Sequence, residues 1–147
     1  MTGRFAPWRA GLLSIAKEFA EEMVAHAKRE DPNECCGILA GKDGTVHHLY
    51  RITNTTLSPY RYLMDPQEFL NADKDSERNG WDFLAFYHSH THGPAYPSPT
   101  DVRMALESGW LDLYYVLVSL EDKEEPDLRA FHIQESGQIV EDELEVA

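Results

Sequence analysis

Apolar side chains recur at helical spacing early in the chain, at Ile15, Phe19, Met23, Val24 and Ala27, while Lys17, Glu21, Glu22 and Lys28 fill the other face. That period predicts an amphipathic helix over about 16–29, packed on a sheet. Asp31-Pro32-Asn33 ends it, because the residue before a proline is driven out of the helical region. Ahead of it, 12–15 predicts a short strand, and 1–11, broken by Pro7 and Gly11, reads as an arm outside a single domain over 12–147. Residues 34–41 predict a strand that is buried except for its first residue. A tight turn at Lys42-Asp43-Gly44 joins it to β-forming residues 45–52 in a hairpin. A polar connection over 53–59 leads to a short strand at 60–64. Asp65 as N-cap and Pro66 at the first helical position start a second helix, which runs to about Arg78 and is closed by Asn79-Gly80.

The second half continues the alternation. Residues 81–87 are apolar and aromatic apart from Asp82, as a buried strand requires, and 101–108 predicts a short helix with Val102, Met104, Ala105 and Leu106 as its apolar contacts. Residues 111–120 are apolar on both faces, which marks a central strand. After the charged turn at 121–127, stretches 128–133 and 138–143 predict two more strands across a Ser136-Gly137 turn. The sum is an α/β (α+β) domain, with helices packed against a mixed sheet.

Composition narrows the possible functions. A chain of 147 residues with 42% hydrophobic and 11% aromatic content suits one hydrophobic core and argues against disorder. Thirteen basic against 26 acidic residues give a net charge of -13. That balance repels phosphate backbones, no local basic patch offsets it, and a nucleic-acid partner is not expected. No apolar run is long enough to span a bilayer, and 1–15 lacks the hydrophobic region of a signal peptide, so a cytoplasmic protein without a membrane partner is expected. The only cysteines, Cys35 and Cys36, are adjacent, where a bridge would be strained, so a reducing compartment fits and Cys36 reads as core packing.

The candidate chemistry lies where 81–87 runs on into His88-Ser89-His90. Side chains two apart on a strand share a face, so His88 and His90 can converge on one ion. A Gly- and Pro-rich loop follows, and then a helix start in which Ser98 is the N-cap, Pro99 the first helical residue and Asp101 part of the first turn. Asp101 can thus turn back as a third ligand. Two imidazoles and one carboxylate, with a position left for water, form the ligand set of a catalytic rather than a structural zinc site.

The joint pattern His-x-His-x7-Ser-x2-Asp at His88, His90, Ser98 and Asp101 resembles the signature of the JAMM metalloproteases, also called the MPN-plus family. A second part of the resemblance lies upstream, in Glu34-Cys35-Cys36-Gly37-Ile38-Leu39, similar to the strand on which that family carries a catalytic Glu; together the likeness covers about 12–143. It implies a zinc ion held by His88, His90 and Asp101, with Glu34 as the general base. Ser98 would donate to the oxyanion of a tetrahedral intermediate, a role that competes with capping for one oxygen. Tyr-His-Ser-His-Thr followed by Ala-Tyr-Pro-Ser-x-Thr-Asp-Val, with Asn54, Ser58-Pro59 and Arg61 upstream, is most similar to compact bacterial members that remove a C-terminal cysteine from a ubiquitin-like sulfur-carrier protein. Asn54, Ser58, Arg61 and Tyr96 are then candidates for substrate contact. His47 and His48, on opposite faces of their strand, are read as structural, and His92 as a loop residue where the chain is already turning. Other classes stay open: a JAMM-type isopeptidase of another substrate, a non-catalytic MPN scaffold, and a DNA-repair-associated branch that the charge counts against.

Overall fold

The computed structural model describes residues 11–147, and the sequence-predicted arm at 1–11 lies, apart from Gly11, outside the described residues. The chain runs β1 (Leu12–Ile15), α1 (Lys17–Glu30), β2 (Cys36–Lys42), β3 (Thr45–Ile52), α2 (Pro66–Arg78), β4 (Asp82–His90), α3 (Pro99–Ser108), β5 (Tyr114–Ser119), β6 (Asp127–Ile133) and β7 (Ile139–Val146). The sheet is mixed and closes on itself in the order β1-β3-β2-β4-β5-β6-β7. Closure comes from β1, whose four residues pair in parallel with β7 and touch β3 at Ser14 and Thr45. The Gly11 N–H extends that seam by donating to Asp142 Oδ1 at 2.9 Å. Sequence periodicity predicts a mixed sheet; its closure rests on contacts between the two ends of the chain.

The helices divide over the two faces as their apolar stripes require. Met23 and Ala27 of α1 pack with Leu13, Ile15, Cys35, Leu39, Val116 and Val118. On the other face, Ala72 of α2 and Ala105 of α3 pack with Cys36, Ile38, Phe86 and Tyr115. Cys35 and Cys36 therefore enter opposite halves of the core by strand alternation, and burial pushes both thiols up, Cys35 to about 12. Among the described residues no helix is long and apolar enough to cross a membrane.

Several sequence expectations change here. The strand expected at 60–64 does not form; only an isolated bridge joins Asn54 to Met64, and 53–65 is a loop closed by two backbone bonds, Thr55 N–H to the Leu63 carbonyl at 2.9 Å and Asp65 N–H to the Thr53 carbonyl at 3.0 Å, and by side-chain bonds. Glu34 was expected to be exposed at a strand start, but it precedes β2 and is 3% exposed, because the loop folds over it. His47 and His48 do not alternate. The β2–β3 register shifts between Ala40 and Gly41, which pair with His48 and Val46, so His47 is an extra residue. Both imidazoles are exposed and both stack on Trp81, at 6.3 and 5.6 Å. A bulge breaks the period of two that the sequence reading relied on.

Candidate metal centre

His88 and His90 end β4, and their neighbours on both sides hold them in place. His88 pairs with Cys36 of β2 and Leu117 of β5, and His90 pairs with Ser119. Ser89, between them, turns to the other face. It accepts from the Cys35 N–H through Oγ at 2.8 Å and donates its own N–H to the Cys35 carbonyl at 3.2 Å. These two bonds continue the β2–β4 pairing past the end of β2 and bring Glu34 up to the histidines. Sequence spacing could not supply that adjacency, because it depends on which strands pair.

The third group arrives on α3, which starts as its residues predict. Ser98 and Asp101 form a reciprocal capping box: the Asp101 N–H donates to Ser98 Oγ at 3.0 Å, and the Ser98 N–H donates to Asp101 Oδ2 at 2.9 Å. The cap thus fixes the carboxylate that faces the histidines. It takes a lone pair of Ser98 Oγ and leaves the hydroxyl proton free to donate, so capping and oxyanion donation do not compete as expected from sequence.

Asp101 Oδ2 lies 3.1 Å from His88 Nε2 and 3.0 Å from His90 Nε2, and one donor atom from each of the three residues falls within 4.8 Å of the others. The tautomer of His90 follows from its other nitrogen. Nδ1 sits 2.9 Å from the Pro94 carbonyl, which can only accept, so Nδ1 carries a proton and neutral His90 turns a lone pair toward the carboxylate. A lone pair facing a carboxylate oxygen at 3.0 Å calls for a positive charge between them, a proton or a metal ion. Burial alone would raise the Asp101 pKa, but His88, His90 and the Ser98 N–H hold it well below the usual carboxylate range. Buried Glu34 Oε1, His88 Nδ1 and Asp101 Oδ1 have no hydrogen-bond partner in the protein, and the two carboxylate oxygens are thus unsatisfied acceptors beside the imidazoles. The donor set therefore fits a divalent metal with N and O ligands.

Glu34 is close enough for His88, Asp101 and His90 each to act on its carboxyl, and burial pushes its pKa up to about 7. Tyr62, which sequence reasoning missed, lies against His88 with ring centroids 4.6 Å apart. Beside them is a cavity of about 210 Å³ lined by Tyr62, Phe69, Phe86, Asp101, Met104 and Trp110, among others. His92 stays outside the group: it is exposed and bonds Thr91 Oγ1 through Nδ1 at 2.9 Å. Tyr96, on the same loop, is 48% exposed and packs edge-on against Phe131. Arg61 is exposed, Ser58 half-buried, and Asn54 buried.

The closed mixed sheet thus gathers two imidazoles, a capped carboxylate and a buried glutamate, and the first three could hold a metal ion. The family model described as prokaryotic homologs of the JAB domain matches residues 16–134, and the chain belongs to that family. It is 39% identical over 137 residues to a CysO-cysteine peptidase of Mycobacterium tuberculosis, covering 92% of this chain and 91% of that one. It is 42% identical over 95 residues to a probable TtuB-protein conjugate cleaving protease of Thermus thermophilus, 64% of each chain. A solved structure from Desulfitobacterium hafniense superposes with a TM-score of 0.81 at 38% identity over 92% of both chains.

Proposed function

We propose that this chain is a zinc-dependent hydrolase that cuts a peptide or isopeptide bond at the C-terminus of a ubiquitin-like sulfur-carrier protein. The observation that carries the reading is the convergence of His88 Nε2, His90 Nε2 and Asp101 Oδ2 beside the unpartnered, buried Glu34 Oε1. The peptidase and conjugate-cleaving names of the relatives support the bond class and the kind of substrate.

In this reading His88, His90 and Asp101 would hold the zinc, which when bound would polarise a carbonyl and bring the pKa of a water from about 15.7 toward 7. Glu34 takes the proton of the attacking water and hands it to the leaving amine. Burial raises the Glu34 pKa to about 7, so its carboxyl can both take and return a proton near neutral pH. The Pro94 carbonyl keeps His90 Nε2 free of its proton, and the capping box fixes Asp101. Ser98 Oγ–H donates to the oxygen that gains charge as the carbonyl is attacked. Arg61 and Tyr96, both exposed, and Ser58, half-buried, supply contacts for the carrier at the rim. A Gly-Gly tail suits the site because glycine lets backbone approach closely. A cytoplasmic setting belongs to the same reading and is supported by the two free thiols.

The test loads the purified chain with zinc and incubates it with a β-grasp carrier extended past Gly-Gly by cysteine. Elemental analysis should find about one zinc per chain. Intact-mass spectrometry should show loss of the extension, abolished by a chelator. A carrier tail that stays intact while ubiquitin-like isopeptide conjugates are cut would overturn the carrier-trimming part and leave the broader isopeptidase.

A further inference from the structure

Glu34 precedes the first residue of β2, and its backbone is held by the 53–65 loop rather than by a sheet ladder. Its N–H donates to the Ser58 carbonyl at 2.9 Å, and its carbonyl accepts from Asn54 Nδ2 at 3.0 Å. Asn54 is 7% exposed and serves both sides of this contact. Nδ2 also donates to the Arg61 carbonyl at 3.1 Å, while Oδ1 accepts from Thr56 N–H at 3.1 Å, Thr56 Oγ1 at 2.7 Å and Leu63 N–H at 3.0 Å. Both donors and the one acceptor oxygen of the amide are thus engaged within the chain, which leaves nothing for a substrate. Two backbone bonds, Thr55 N–H to the Leu63 carbonyl and Asp65 N–H to the Thr53 carbonyl, close the neck of the loop, and its tip depends on the Asn54 side chain. Leu57 takes a φ of 47°, left-handed backbone that is strained for a non-glycine residue, and Leu57, Tyr60 and Leu63 face solvent instead of anchoring it. The same loop carries Tyr62 against His88.

We propose that Asn54 is a positioning residue for Glu34: it clasps the 53–65 loop to the Glu34 backbone and so sets where the Glu34 carboxyl stands relative to His88, His90 and Asp101. It acts through Glu34 and not by touching substrate, and the proposal rests on Glu34 being the base. A misplacement of about 1 Å at a reacting group lowers rate up to a hundredfold without altering binding, so the clasp acts on kcat.

The experiment uses the full chain with Asn54→Ala and Asn54→Asp, the second keeping the acceptor that holds Leu63 while removing the donors to Glu34 and Arg61. In the zinc-loaded protein, kcat should fall roughly ten- to a hundredfold in both variants, with KM within about threefold and zinc content unchanged. In the metal-free protein, amide hydrogen exchange at Glu34 should speed up at least tenfold in both, with β4 and β5 amides unchanged and Leu63 kept protected in Asn54→Asp. A raised KM with unchanged kcat would make Asn54 a docking residue and overturn the proposal. Unchanged exchange at Glu34 would overturn it as well, and faster exchange throughout the barrel would reduce Asn54 to a general stabiliser. If Glu34→Gln keeps full activity, the reading of Glu34 as base fails instead, and the metal-free exchange result alone decides whether the clasp exists.

Discussion

The carboxyl of Glu34 is governed by what surrounds it. In water it would be an ordinary carboxylate; here burial favours the neutral form and the adjacent imidazoles favour the charged one. Glu34→Gln preserves shape and removes only the ability to take a proton. Zinc content and thermal midpoint should therefore stay near wild type, while turnover falls about a hundredfold or more, the scale of a lost general base. Elemental analysis alongside single-turnover assays checks it; a variant that loses its metal would make Glu34 a ligand. His92→Ala should leave turnover near wild type in the same assay, since His92 Nδ1 bonds Thr91 Oγ1 and His92 is not among the residues that could hold a metal.

At the scale of elements, β2 and β4 meet around one glycine. A Cβ at Gly37 would run into the ring of Tyr87, its pairing partner on β4, and come within 2.5 Å of the Tyr50 carbonyl on β3. Tyr87 is wholly buried and the carbonyl belongs to the sheet, so neither can give way cheaply. Gly37→Ala should cost about 1–3 kcal/mol, the range for overpacking a core, read as a lower urea midpoint. Gly93→Ala is the control, because a Cβ there meets nothing within 4 Å, and it should stay within roughly 0.5 kcal/mol. Equal midpoints for the two would mean that the β2–β4 contact is looser than its geometry.

For the molecule as a whole, one buried pair couples stability to pH. His26 of α1 meets the Tyr87 hydroxyl of β4 at 2.7 Å, and burial, then the charges of Arg51 and Arg29, lower its pKa from 6.5 to about 4. The folded state thus favours neutral His26, while the unfolded chain takes up a proton from pH 6.5 downward. Its contribution is complete above pH 6.5 and is lost as pH falls toward 4, at up to ~1.4 kcal/mol per pH unit. His26→Gln removes the titration and keeps a polar group. Urea midpoints between pH 7.5 and 4.5 should fall more steeply for wild type than for the variant. A constant difference across that range would remove His26 from the linkage.

The sequence by itself determined the local pieces, because their causes are local. Helical period gave α1, Asp65-Pro66 and Ser98-Pro99 gave the starts of α2 and α3, and strand alternation placed His88 and His90 on one face. The helix start at Ser98-Pro99 offered Asp101 as a third ligand, and family resemblance alone brought in Glu34. What only the tertiary structure decided is everything that depends on which distant segments meet. The barrel closes because β1 finds β7, and Glu34 reaches the histidines because Ser89 ties β4 to Cys35. A bulge turned His47 and His48 to one side, and in place of the strand expected at 60–64 a single bridge and the bonds of the Asn54 side chain hold the loop. Periodicity reports which face a residue occupies relative to its neighbours in sequence. It carries no record of which strand pairs with which, or of a bond that reaches across a loop.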